Sequence, residues 1–190
     1  MSVLTDLLDR LEHESATLGS GRLVSIDGPA GSGKSTLARH LADAYDDRAH
    51  ESAAAVVHMD DLFEGWSGLA TVDEQLDSVL RPLGSGRAGH YRRYDWFEDA
   101  WAETVLVPPC PLLVVEGVGS GAARFDHLRT LLVWVEAPHD ERMRRGLDRD
   151  GDAFAPHWEQ WARDEEAVFT REQTRARADL LVDGTRPFGD

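Results

Sequence analysis

The run Gly28-Pro29-Ala30-Gly31-Ser32-Gly33-Lys34-Ser35 satisfies G-x-x-x-x-G-K-[ST], and it stands where that motif needs to stand. Before it lies a short β-prone segment, Leu23-Val24-Ser25-Ile26, and after it the leucines and alanines from Lys34 to Tyr45 favour a helix. Glycines let such a loop curl so that successive backbone N–H groups face phosphate oxygens, while the helix N-terminus adds partial positive charge. Lys34 is then placed to bridge β- and γ-phosphates and the Ser35 hydroxyl to take one Mg²⁺ position, with Gly28 to Thr36 as the nucleotide-binding stretch. The other reading is a glycine-rich strand-to-helix turn that binds nothing. Lys34 is the only lysine among 20 basic residues. A GC-rich genome explains that bias but not the position, whereas a compact ammonium suits a phosphate cradle better than a planar guanidinium.

Further β-prone runs recur along the chain. Ala55 to Met59 ends in Asp60-Asp61, Leu112 to Val115 ends in Glu116-Gly117, Leu131 to Val135 precedes a helix over about His139 to Arg149, and Leu180 to Val182 lies near the C-terminus. Short apolar strands alternating with helices predict an α/β fold of the P-loop NTPase type: three layers, with a mainly parallel five-stranded sheet flanked by helices. One such domain is expected over residues 1–190, with an added amphipathic helix within 1–18, where Val3, Leu4, Leu7, Leu8 and Leu11 recur at helical spacing. The segment from Gly65 to His90, with one helical patch from Val72 to Leu80, is expected to pass over the sheet edge.

A net charge of -15 leaves no global basic field to gather nucleic acid or an anionic membrane surface, so neither is expected as a partner. The single cysteine, Cys110, allows no intrachain disulfide, and the acidic N-terminal segment lacks the order of a signal peptide. A cytoplasmic location and a small-molecule partner are the expectation, with the oligomeric state open.

In parallel α/β sheets ligands bind beyond the carboxyl ends of strands, and Asp27, Asp60, Asp61 and Glu116 end the expected strands. A carboxylate beside a γ-phosphate can take the proton of an attacking hydroxyl, and another can organise the water around Mg²⁺. The first role is assigned to Asp60 and the second to Glu116, with Asp61 in reserve for either; Asp60-Asp61 also reads as a local cap, and Glu116-Gly117 as a plain turn. Arg142, Arg145 and Arg149 share one helix face at i, i+3 and i+7. That face either closes over the phosphates as a lid, within about residues 139–160, or is a solvated face with pairs such as Glu141 with Arg145.

In their order these residues resemble the uridine kinase branch of P-loop kinases, which also includes phosphoribulokinase-like and pantothenate kinase-like proteins. The resemblance runs from about Leu23 to Asp183 through the glycine-rich loop, Met59-Asp60-Asp61-Leu62-Phe63, Tyr94-Asp95-Trp96, Val115-Glu116-Gly117-Val118, Arg142 to Asp150 and Ala178 to Val182. It implies ATP as donor with Mg²⁺, Asp60 as the proton-accepting carboxylate, Arg145 and Arg149 as lid residues, and Phe63, Tyr94 and Asp95 near the acceptor. The chain departs from that branch at Trp66-Ser67-Gly68-Leu69-Ala70, where such kinases carry a Phe-Asp-His-Pro type stretch, and at Phe97-Glu98-Asp99, where they place a His.

The function expected is therefore transfer of a γ-phosphate to an acceptor hydroxyl, on a nucleoside first and on a sugar or cofactor precursor second. Two other readings are a nucleotide-dependent regulator and a P-loop protein that binds without catalysis. A GTPase of the usual type reads guanine with Asn-Lys-x-Asp, and this chain has no Asn.

Overall fold

A computed structural model describes residues 2–49, 54–151 and 157–189, the side chains of Arg149 and Asp150 excepted. Its centre is a five-stranded sheet in which β1 (Arg22–Asp27), β2 (Ala54–His58), β5 (Leu112–Glu116), β6 (Leu131–Glu136) and β7 (Leu180–Asp183) lie in the order β2-β5-β1-β6-β7. Every pairing is parallel, with Val24 opposite Val114 on one side and Leu131 on the other. The near-continuous apolar runs follow from that topology, because the middle strands are covered on both faces and need no polar alternation.

Two apolar layers sandwich the sheet. On one face Val24, Ile26, Leu112, Val114 and Val133 pack with Leu37, Ala38 and Leu41 of α2 (Lys34–Ala49) and with Leu7, Leu8 and Leu11 of α1 (Val3–His13). On the other, Leu23, Val57, Leu113 and Val115 pack with Leu76, Val79, Leu80 and Leu83 of α3 (Val72–Gly84) and with Trp161, Val168 and Phe169 of α5 (Trp158–Glu172). The added N-terminal helix is thus a packing element. Ser2 caps it by accepting the Thr5 N–H at 3.2 Å, and Arg48 of α2 reaches its Asp9 and Glu12 at 3.1 and 2.8 Å.

Several elements differ from the sequence reading. Residues 89–107 form an antiparallel hairpin of β3 (Gly89–Asp95) and β4 (Ala100–Val107), which no apolar run announces because His90, Arg92, Arg93 and Glu103 alternate with the inward residues. The helical patch at Val72 extends to Gly84 through Pro82, and before it residues Gly65–Ala70 make a 3-10 helix. The expected lid segment includes α4 (His139–Asp150) and the start of α5, whose Trp161, Val168 and Phe169 join the core on the α3 face of the sheet while Trp158 packs against His139 and Arg142 of α4. A short α6 (Thr174–Arg177) leads into β7.

Candidate active site

The glycine-rich loop leaves the carboxyl end of β1, the central strand, and runs into α2, so its backbone amides sit at the sheet's functional edge. Asp27, the last residue of β1, is fully buried and ties this edge together. Its carboxylate accepts N–H groups from Gly28 at 2.7 Å, Gly119 at 3.1 Å and Gly121 at 2.9 Å, joining the loop to the turn that follows β5. Burial nevertheless outweighs those bonds and the nearby Lys34 charge, and raises the Asp27 pKa to about 6. Behind the same turn, the buried Arg129 guanidinium donates to Ser25 Oγ and to the carbonyls of Ser120 and Ala122.

Around the loop opens a cavity of about 690 Å³. Ala30, Gly31, Gly33, Lys34, Ser35 and Thr36 line it from the loop, Asp60 from the 3-10 turn after β2, Glu116 from the end of β5, and Arg145 from α4. The structure thus brings together Lys34, Ser35, Asp60, Glu116 and Arg145, which are distant in sequence. Lys34 Nζ donates to the Pro29 carbonyl at 3.0 Å, folded back over its own loop. Glu116 is buried and its Oε1 lies 2.6 Å from His58 Nδ1, a partner that sequence reading missed; this contact raises the His58 pKa and outweighs burial, which lowers it.

The arginine face does meet the loop. Arg145 donates to the carbonyls of Gly31 at 3.3 Å, Ser32 at 3.5 Å and Gly184 at 3.1 Å while making the expected intrahelical pair with Glu141 at 2.8 Å. Arg142 donates to the Ala30 carbonyl at 3.1 Å and to Glu165 at 3.3 Å. The Arg149 side chain lies outside the described residues.

The remaining candidates sit apart from the cavity lining. Asp61 turns toward Tyr91, whose hydroxyl donates to it at 3.5 Å, and its pKa is raised by burial. Phe63 is fully buried with its ring 5.2 Å from that of Trp161. Tyr94 is buried in the hairpin and donates to Asp99 at 2.6 Å, and Asp95 caps the hairpin turn by accepting the N–H groups of Phe97 and Glu98. Trp66, Trp96 and Trp161 line the cavity as well, none of them a site residue in the sequence reading.

For a Mg²⁺ ion the donor set fits. Ser35, Asp60 and Glu116 are hard oxygen donors on one cavity wall system, and among the described residues no group of three or more His, Cys, Asp or Glu could hold a metal alone. Mg²⁺ at nucleotide sites is held that way, by one or two side chains with water and phosphate.

An all-parallel α/β sheet with a G-x-x-x-x-G-K-[ST] loop between its central strand and the next helix is the P-loop NTPase fold. Solved structures with this architecture extend over nearly the whole chain. A provisionally named uridine kinase from Bacillus stearothermophilus is 22% identical, covers 94% of this chain and 100% of its own, and superposes with a TM-score of 0.64. A provisionally named fructose transport system kinase from Silicibacter sp. TM1040 is 23% identical over 95% of this chain and 98% of its own, with a TM-score of 0.71. The chain therefore has the fold of P-loop kinases. No family model matches the sequence, and no curated protein matches it.

Proposed function

We propose that the chain is an ATP-dependent kinase that transfers the γ-phosphate to a hydroxyl of a small molecule. The observation that carries this reading is the convergence of Lys34, Ser35, Asp60, Glu116 and Arg145 on one cavity at the carboxyl edge of the sheet. The loop amides and Lys34 hold the phosphate oxygens, and Asp60 orients the acceptor hydroxyl and takes its proton as the new O–P bond forms and the bond from the γ-phosphorus to ADP breaks. Arg145, anchored at the loop's own carbonyls, supplies positive charge where the transferred group gathers negative charge, and it helps to keep water from the reacting phosphorus. Ser35 and Glu116 would hold Mg²⁺, which when bound neutralises phosphate charge.

Nucleosides lead as acceptors, and a sugar or cofactor precursor is the second choice. The second choice gains weight from residues 66–70, where the chain departs from the uridine kinase pattern. The reading includes a cytoplasmic location and no nucleic-acid or membrane partner. The net charge of -15 supports it, and among the described residues no helix is long and apolar enough to cross a membrane.

The test is ATP consumption and product formation over a panel of nucleosides, sugars and other hydroxylated metabolites. Phosphorylated product that disappears in Lys34→Ala and Asp60→Asn is the expected result. ATP hydrolysis that proceeds equally without any acceptor, across the whole panel, would refute the kinase reading and favour a regulatory P-loop protein.

A further inference from the structure

Asp27 is a fully buried carboxylate at the root of the phosphate loop, and the transfer chemistry gives it no part. Its Oδ1 accepts the N–H groups of Gly28 and Gly119, and its Oδ2 accepts that of Gly121. A carboxylate has about four lone-pair directions, so these three bonds leave one open, on Oδ2. A proton can settle there without breaking any of them. Two hydroxyls of the same region are themselves unmatched: Ser120 Oγ, on the turn that Asp27 holds, and Thr174 Oγ1 of α6 are buried with no hydrogen-bond partner among the described residues. A Cβ on Gly121 would lie 2.8 Å from Asp27 Oδ2 and 2.4 Å from Thr174 Cγ2, so the two side chains flank one backbone position.

The charges that act on Asp27 come from both sides of it. Lys34 of α2 attracts it from the loop, and Arg129, which holds the carbonyls of Ser120 and Ala122, attracts it from behind the turn. Asp126 bonds Arg129 and Arg177 in turn. On the neighbouring strands, its register partner on β6 is the uncharged Trp134, while on β5 Glu116 stands opposite Ile26 and is bonded to His58. Arg129 is fixed by its carbonyls and by Ser25, whereas Lys34 holds the Pro29 carbonyl on the very loop that phosphate would enter.

A phosphate group seated in the loop takes Lys34 as its counter-charge and brings negative charge to the structure that Asp27 underlies. Both changes favour the neutral acid at Asp27, whose pKa burial has already raised to about 6.

We infer that Asp27 is a positioning residue of the phosphate site: it clamps the loop to the turn after β5, and it takes up a proton from solution when phosphate enters the loop. The inference rests on the nucleotide-binding half of the kinase reading and adds a regulation to it, tighter nucleotide binding in acid. The sign follows from linkage. Nucleotide prefers the protonated form, so the gain is present below the pKa of the free protein and is lost as pH rises through that of the bound one.

The test is calorimetric binding of ADP to the full chain, with no divalent metal present, in buffers of different ionisation enthalpy. ADP itself titrates near neutral pH, so wild type is compared with Asp27→Asn, which lacks the proton site. If phosphate raises the proton affinity of Asp27 about tenfold, the wild type takes up about half a proton more than the variant at about pH 6.5, and its ADP affinity gains about fivefold more between about pH 8 and about pH 6. Equal proton uptake and equal pH dependence in the two proteins overturn the inference. If the variant does not fold, the infrared difference spectrum of wild type with isotope-labelled aspartate decides: a protonated aspartic acid band that appears on ADP binding supports the inference, and its absence overturns it. Proton uptake as expected, with no transfer to any acceptor, sinks the kinase reading alone. Failure of the folded chain to bind ADP counts against both.

Discussion

The Glu165 carboxylate accepts the backbone N–H of Ala30 at 2.9 Å, and its ion-pair partner Arg142 donates to the carbonyl of the same residue at 3.1 Å. Both backbone polar groups of one loop residue are thus held by a pair that joins α4 to α5, with the Arg142 and Glu165 side chains only 12% and 4% exposed. Burial raises the Glu165 pKa, while the Ala30 N–H, Lys34 and Arg142 oppose the rise. Removing one member of such a pair leaves the other charge buried and unmatched. Glu165→Ala is expected to cost about 3 kcal/mol in urea unfolding and to weaken ATP binding in a direct titration. Glu165→Gln keeps an acceptor for the Ala30 N–H and is expected to lose less on both measures.

Asp27 gives a pH-dependent prediction with a fixed sign. Its folded-state pKa, about 6, lies above the ordinary carboxylate value of 3.8, so the folded protein binds the proton more tightly than the unfolded chain does. The stability contributed by the protonated group is complete below pH 3.8 and is lost as pH rises toward and through 6, a loss of about 3 kcal/mol from this residue alone. Asp27→Asn removes that dependence but turns an N–H₂ toward one of the three donors from Gly28, Gly119 and Gly121. Relative to the wild type, the variant is expected to look worse near pH 4 than near pH 7. Urea midpoints of both proteins at the two pH values read this difference directly, and an equal penalty at both refutes it.

The donor half of the site was legible because one local motif encodes it: the glycine spacing, Lys34 and the flanking apolar runs lie within a short stretch, and the parallel strands announce themselves as uninterrupted apolar runs. That Glu116 and Asp60 line the cavity was legible because strand ends in such a sheet lie at its ligand-binding edge. The tryptophan lining of the cavity was not. Trp66, Trp96 and Trp161 sit on a 3-10 helix, a hairpin turn and a helix, and only the fold brings them together. A faint signal existed in the six tryptophans of a chain with 8% aromatic residues, three of which line this cavity. Glu165 and His58 carried no local signal, since a buried acid on α5 and a histidine ending β2 look like any other helix or strand residue. Tyr94 and Asp95 are placed near the acceptor by resemblance alone, and in the fold their hydrogen bonds shape the hairpin.

Arg145 joins α4 to the loop through the carbonyls of Gly31 and Ser32, to the turn after β7 through that of Gly184 and to its own helix through Glu141, and it lines the cavity. Arg145→Ala is expected to lower kcat by about 100-fold, the scale on which one positioned charge-stabilising group acts, with a smaller effect on KM for the acceptor. Arg145→Lys keeps the charge but cannot reach several carbonyls at once, and is expected to recover only part of the rate. Steady-state kinetics of both variants on the best acceptor decide the point, and a kcat equal to wild type in Arg145→Ala would remove the residue from the reaction.

Gly31 and Gly86 separate two costs that glycine substitutions usually confound. Their φ values, +77° and +72°, are nearly equal, so alanine at either position meets a similar left-handed backbone penalty of about 1 kcal/mol. The surroundings differ. A Cβ on Gly31 would lie 2.5 Å from the Arg142 carbonyl oxygen and 2.9 Å from its Cα, backbone atoms of the helix that closes on the loop, whereas nothing lies within 4 Å of a Cβ on Gly86. Gly86→Ala should therefore unfold at a urea concentration only slightly below wild type and bind ATP normally. Gly31→Ala must push α4 from the loop, which breaks the reach of Arg142 and Arg145 to the loop carbonyls together. It is expected to lose clearly more stability than Gly86→Ala and at least about tenfold in ATP affinity, because the amides that face the phosphates move with the loop. If the two variants behave alike, α4 is not seated tightly on the loop, and the support that it lends to phosphate binding is absent.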